Sequence, residues 1–156
     1  LLDKSKGVYI LCLTSNQSAK EFQYKFNENS YLYQDVAKLA SNLNHNDNVG
    51  LVVGATNVSK MQSIKKVDSN LTWLVPGIGF QGGDIEESVK ISNLKSIGII
   101  NVSRGIIYSG NQSLDDIRLS ANKYNTNINR MHHINFSLDP FFLQYDREII
   151  HVFCLA

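Results

Sequence analysis

Four continuous apolar runs punctuate the chain: VYILCL (8–13), VGLVV (49–53), LTWLV (71–75) and IGIINV (97–102). They are rich in β-branched residues and do not alternate with polar ones, the pattern of strands buried on both faces. Between them the apolar positions fall at helical spacing. In YLYQDVAKLASNL, Tyr33, Val36, Ala37, Ala40 and Leu43 share a face, and in SKMQSIKKV so do Met61, Ile64 and Val67. DIEESVKISNL aligns Ile85, Val89 and Leu94, with Asp84 as N-cap and Glu87 as its acidic partner at the third helical position. SLDDIRLSANKYNTNINRM supplies Leu114, Ile117, Ala121 and Tyr124, with Ser113 as cap and Asp115 and Asp116 in the first turn. The expected order is β, α repeated four times. Strand starts near 49, 71 and 97 have the spacing of βαβ units in a parallel sheet. The stretch from His132 to Ala156 breaks this rhythm, so the chain divides into residues 1–131 and a tail, 132–156, of unassigned structure.

A length of 156 residues is about one domain, yet short of the roughly 250 typical of a closed eight-stranded α/β barrel. With 19% charged residues and a formal charge of +1, the chain has no electrostatic footprint for nucleic acid or an anionic membrane. No apolar run approaches the roughly 18 residues that span a bilayer, and LLDKSKG does not resemble a signal peptide. Cys12 and Cys154 form neither a CxxC nor a disulfide framework, which fits a reducing, cytoplasmic setting. His132 and His133 are adjacent and diverge on a helix, and His45 and His151 have no neighbours in sequence, so no metal site is expected.

In parallel α/β folds ligands collect at the carboxyl ends of strands. Two loops there stand out. VPGIGFQGGD (75–84) holds four of the chain's ten glycines, and SRGI (103–106) follows the fourth strand with Arg104 available for a bidentate contact to phosphate. Gln81 can donate an amide hydrogen bond from the first loop. The glycines Gly77, Gly79, Gly82 and Gly83 do not fit GxGxxG, which argues against a dinucleotide fingerprint. Glycines at a strand end also serve tight turns alone, and Asp84 reads as a helix cap before it reads as a catalytic acid. TSN (14–16) closes the first strand and either reads a polar ligand edge or caps a turn. No GxSxG or Cys/His pair points to a nucleophile. The residues by themselves imply a phosphate-ester site on a parallel α/β scaffold.

VYILCLTSN, VGLVVGATN, WLVPGIGFQGGD and INVSRGIIY, in this order and at these intervals, resemble the carboxyl-terminal half of the orotidine 5'-phosphate decarboxylase family. The likeness is to the bacterial-type subgroup with TSN and VVGAT segments, and it runs from about Gly7 to about Asn129. It implies half of a (β/α)8 TIM barrel, strands five to eight, built of four parallel βα units. For the complete family protein it implies a homodimer that converts orotidine monophosphate to UMP and carbon dioxide in pyrimidine biosynthesis, with no metal or organic cofactor. Carried over by residue, Ser15 hydrogen-bonds the pyrimidine, Gln81 bridges toward the phosphate, and Arg104 and Gly105 hold the phosphate. Pro76, Gly77 and Gly79 belong to a closing loop.

The family's chemical step relies on a D-x-K-x-x-D array whose lysine protonates the carbanion carbon, and these 156 residues contain no such motif. The resemblance therefore implies a chain beginning just before the fifth strand, without catalytic residues and inactive alone. Open sheet edges would make such a half-barrel marginal or dependent on a partner. Two alternatives remain at the level of sequence. One is a non-catalytic half that assembles with a separate chain carrying the lysine. The other is a different phosphate-binding barrel or a flavodoxin-like domain. The tail is also compatible with the edge of a fusion to orotate phosphoribosyltransferase, although it lacks that enzyme's phosphoribosyl-binding signature.

Overall fold

The computed structural model describes residues 3–27, 29–79 and 81–136, with side chains described to Met131. Strand β1 (Val8–Leu13) leads through a four-residue α1 (Ala19–Phe22) and a hairpin of β2 (Phe26–Asn27) and β3 (Ser30–Tyr31) into α2 (Leu32–Leu43). Then follow β4 (Val49–Val53), α3 (Val58–Val67), β5 (Thr72–Val75), α4 (Ile85–Ser92), β6 (Gly98–Ile100), α5 (Arg104–Ile107) and α6 (Leu114–Phe136). The four long-run strands are the four expected.

They pair in the order β1-β4-β5-β6, all parallel, with Val8 opposite Val49, Leu51 opposite Trp73 and Leu74 opposite Ile99. Each strand lies beside its predecessor and the order never reverses. A flavodoxin-like sheet doubles back on itself and has a switch point; this sheet winds one way, as a sector of a barrel does.

The two faces of the sheet differ. Val49, Leu51, Val53, Trp73, Val75 and Ile100 are at most 2% exposed and pack with Ala37, Ala40, Met61, Ile64 and Val89 of the helices. That is the core, and its burial drives the fold. On the other face, Val52, Thr72, Leu74 and Ile99 are only half-buried, and the Tyr9 ring lies over Gly50, where a Cβ would meet its Cδ1 at 2.7 Å. Among the described residues β1 is an edge strand, with Val8, Tyr9 and Leu11 exposed.

The helix starts follow the expected chemistry. Asp84 Oδ1 accepts from the Glu87 amide at 3.1 Å, Asn57 Oδ1 from Lys60 at 3.2 Å, and Ser113 Oγ from Asp116 at 3.1 Å. Asp116 Oδ2 returns the last contact by accepting from the Ser113 amide at 3.4 Å, a reciprocal cap.

Three expected core positions are exposed instead: Leu43, Leu94 and Leu114. Each stands at or beyond a helix end, where the periodic face no longer meets the sheet. Leu94 follows the C-cap Asn93, and Leu114 opens α6 one turn before Ile117 reaches the core. Residues 14–31 carry short elements that no periodicity announces. They bring Tyr31 onto Tyr33, stacked at 5.5 Å, and Tyr24 under the Lys60 ammonium at 4.2 Å. Helix α6 runs through residue 131 to Phe136; residues 137–156, and with them most of the tail set apart in the sequence, lie outside the described residues.

Lys65, on the last turn of α3, is 5% exposed. Its Nζ lies 4.4 Å from the Trp73 ring centre, donates to the Ser69 carbonyl at 3.3 Å and reaches Ser96 Oγ. Burial pushes this ammonium down to about 7, with Asp68 opposing.

Candidate functional site

The site lies at the carboxyl ends of β1, β4, β5 and β6. Parallel strands end together, and short backbone bonds tie their loops side by side. The Gly54 amide donates to Leu13 at 2.7 Å, Ala55 to Pro76 at 2.9 Å and Asn101 to Val75 at 3.0 Å. Four loops that are distant in sequence are thus held against one another.

The TSN segment divides its work. The Thr14 amide and hydroxyl both donate to Gln23 Oε1, at 2.9 and 3.3 Å, and Asn16 bonds Ser18 and accepts from the Ala19 amide. These two residues build the turn. Ser15 Oγ is buried and, among the described residues, has no hydrogen-bond partner. It sits beneath Gly54 and Gly77, where a Cβ at either position would overlap it. A buried hydroxyl without a partner carries a desolvation cost of about 1–3 kcal/mol, which a ligand group or water admitted by movement of Gly77 would relieve.

The glycine loop is organised rather than slack. Gly77 and Gly79 have φ of 95° and 79°, the left-handed region open to glycine. The Gly83 amide bonds Gly77 at 3.2 Å and the Gly82 amide bonds Gly79 at 2.9 Å, folding the loop back on itself before Asp84 starts α4. Asp84 is engaged as the cap of that helix. Gln81 Oε1 lies 2.9 Å from the place a Cβ at Gly77 would occupy, which puts the Gln81 amide beside the Ser15 pocket.

Across from this loop, Asn101 follows β6, and Ser103 Oγ donates to Asn101 Oδ1 at 3.4 Å. The first helical bonds of α5 run from the Ile106 and Ile107 amides to the Ser103 carbonyl, at 3.0 and 2.9 Å. The amides of Arg104 and Gly105 therefore precede the intrahelical ladder. A cleft of about 110 Å³ separates the two loops, lined by Pro76, Gly77, Ile78, Gln81, Asn101, Ser103 and Arg104.

Of the residues singled out in the sequence, Pro76, Gly77, Gln81 and Arg104 line this cleft, with Ser15 under its floor at Gly77. Gly79 and Gly105 stand behind it, both against the Tyr124 hydroxyl of α6. Asn101 is a lining residue that sequence reasoning missed; its signal was a polar side chain directly after an apolar strand. Cys12 is no nucleophile: its thiol donates to the Tyr33 carbonyl at 3.1 Å, and burial pushes it up to about 12.

Residues 1–115 match the model of the orotidine 5'-phosphate decarboxylase / HUMPS family. The chain belongs to that family. A relative named orotidine 5'-phosphate decarboxylase from Halorubrum lacusprofundi is 40% identical over 117 residues, 70% of this chain and 42% of the relative. The solved orotidine monophosphate decarboxylase of Leishmania donovani superposes with a TM-score of 0.73 at 33% identity, covering 83% of this chain and half of the other. The UMP synthase of the same organism gives 0.71 at 33% identity, over 86% of this chain and 29% of the other. The chain thus spans about two-fifths of the curated decarboxylase and half of the solved one. Its four parallel βα units are those of half a decarboxylase-type (β/α)8 barrel, as the sequence resemblance implied. Among the described residues no helix is long and apolar enough to cross a membrane.

Proposed function

We propose that this chain is the phosphate- and pyrimidine-binding part of an orotidine 5'-phosphate decarboxylase. In this reading Arg104 and the amides at Arg104 and Gly105 hold the phosphate of orotidine monophosphate or UMP. Gln81 bridges from the glycine loop, and Ser15 hydrogen-bonds the pyrimidine. Pro76, Gly77 and Gly79 form the arm that closes over the ligand. The observation that supports it most is the convergence of Gln81 and Arg104 on one cleft, with the buried Ser15 hydroxyl, partnerless among the described residues, beneath Gly77.

A phosphate grip of this kind provides binding energy that a decarboxylase applies to its transition state. The proton donor has to come from elsewhere, because the D-x-K-x-x-D array is not among these 156 residues. We therefore place catalysis in the complete barrel, with residues 1–131 as its ligand-binding half and 132–156 as a tail whose start continues α6 to Phe136. The second reading, a non-catalytic half that joins a chain bearing the lysine, is favoured by the half-exposed sheet face and the exposed edge of β1. Homodimerisation, a cytoplasmic setting and fusion to orotate phosphoribosyltransferase belong to the same proposal. The last is prompted by the likeness to a UMP synthase.

The test is a titration of the chain with UMP followed by amide chemical shifts. Perturbations are expected at Ser15, 76–83 and 103–105. Shifts confined to other parts of the sheet would remove this site.

A further inference from the structure

Helix α6 touches both loops of the cleft from behind, through one face. Ile117 and Ile128 pack into the core, and Ser120 and Tyr124, four residues apart, lie between them on the same side. Ser120 Oγ donates to the Gly105 carbonyl at 2.9 Å and so fixes the Arg104 turn to the helix. One turn on, the Tyr124 hydroxyl occupies the space that a side chain at either Gly79 or Gly105 would need. An ideal Cβ would stand 2.6 Å from it at Gly79 and 2.7 Å at Gly105. Such distances are too short for any real Cβ, so two glycines, one in each loop, are shaped around a single phenol oxygen. The Tyr124 ring packs against the core.

We propose that Tyr124 is a positioning residue whose hydroxyl seats the 76–79 arm of the glycine loop against the Arg104–Gly105 turn. The phenol is anchored on a 23-residue helix and its ring is held by the core. It is therefore a fixed stop on which Gly79 rests; the loop's own bonds, Gly83 to Gly77 and Gly82 to Gly79, close it on itself, and the Ala55 amide holds it at its base, Pro76. Seated there, Gly77 covers Ser15 and Gln81 faces Arg104 across the cleft. Unseated, the arm keeps its internal shape but loses its distance to the phosphate turn. Tyr124 sets the width of the site without touching the ligand.

The consequence for phosphate-ester binding rests on the proposed function; the consequence for loop mobility does not. Tyr124→Phe keeps the ring and removes the oxygen, so the melting temperature should stay at the wild-type value. Amide hydrogen exchange at Gly77, Gly79 and Gly105 in the unliganded chain is expected to accelerate about three- to ten-fold, the scale of one hydrogen-bond-sized contact. UMP affinity should fall by a similar factor. Gly105→Ala is expected to weaken UMP binding, and Tyr124→Phe in the same chain to restore part of the loss, because the added methyl then has room. Arg104→Ala, measured alongside, reports on the phosphate site itself. If it leaves UMP affinity unchanged, the site reading fails while the exchange rates still decide the role of Tyr124. Unchanged exchange in Tyr124→Phe, or no rescue of Gly105→Ala, would overturn the inference.

Discussion

Replacing Arg104 by alanine should weaken UMP binding by about 1.5–3 kcal/mol, the scale of hydrogen bonds to a charged group, or roughly 10- to 150-fold in dissociation constant. The geometry behind this is the position of Arg104 at the start of α5, on the wall of the cleft opposite Gln81. In the proposed site a guanidinium there would meet two phosphate oxygens at once, and the amides that precede the helical ladder would meet a third. Arg104→Lys keeps the charge and loses the fork, so its affinity should fall between wild type and alanine. Calorimetric titration of the three proteins decides it. Equal affinities for wild type and Arg104→Ala would take Arg104 out of the phosphate grip.

The second large effect is on stability. Lys65 is buried under the Trp73 ring, and its folded-state value of about 7 lies below the 10.5 of an ordinary lysine. Between these values the unfolded chain binds more protons, so stability rises with pH; below pH 7 both states are protonated and the full burial penalty is present. From pH 7 to pH 9 the gain should be about 2 kcal/mol. Cys12 has the opposite sign. Its folded-state value is raised from 9.0 to about 12, so its contribution is intact below pH 9 and is lost only above it. Urea unfolding at pH 6, 7, 8 and 9 isolates the lysine. Wild-type stability should climb across this range relative to Lys65→Met, which fills the same space without a charge and should be the more stable protein at pH 6. Parallel pH profiles for the two would show that Lys65 stays charged at no cost.

Much of this fold was legible because its strands are continuous apolar runs between helices with clean periodic faces. Val49 to Val53 could be read as a buried strand, and Asp84 with Glu87 as a helix start, from local pattern alone. What periodicity could not give were the places where a helix ends and its face loses the sheet, as at Leu94 and Leu114. Nor could it give the short hairpin at 26–31, whose strands are two residues each. Lys65 escaped notice for a related reason: a lysine at the end of an amphipathic helix looks solvated until the neighbouring strand brings Trp73 over it.

The candidate site was legible to the extent that chemistry and loop position coincide. Gln81 lies in a loop and Arg104 at a helix start, each just after a strand end, and parallel topology alone brings such segments together. Asn101 and Tyr124 were harder to see. The first is one polar residue in an otherwise apolar run, just past the end of β6, and the second reads as one more core position on α6. Only the three-dimensional approach of Gly79 and Gly105 to its hydroxyl gives Tyr124 a further role.

That this chain carries the ligand-binding half of a decarboxylase barrel is the proposal on which the site reading depends. Its most direct test is an assay of carbon dioxide release from orotidine monophosphate, by the chain alone and after mixing with a half-barrel of a family member that bears the D-x-K-x-x-D array, with assembly followed by size. No turnover is expected from the chain alone, and the assembled pair is expected to turn over at a rate that Arg104→Ala sharply reduces. Decarboxylation by the chain alone, or an assembled pair that binds UMP and does not turn over, would contradict the proposal.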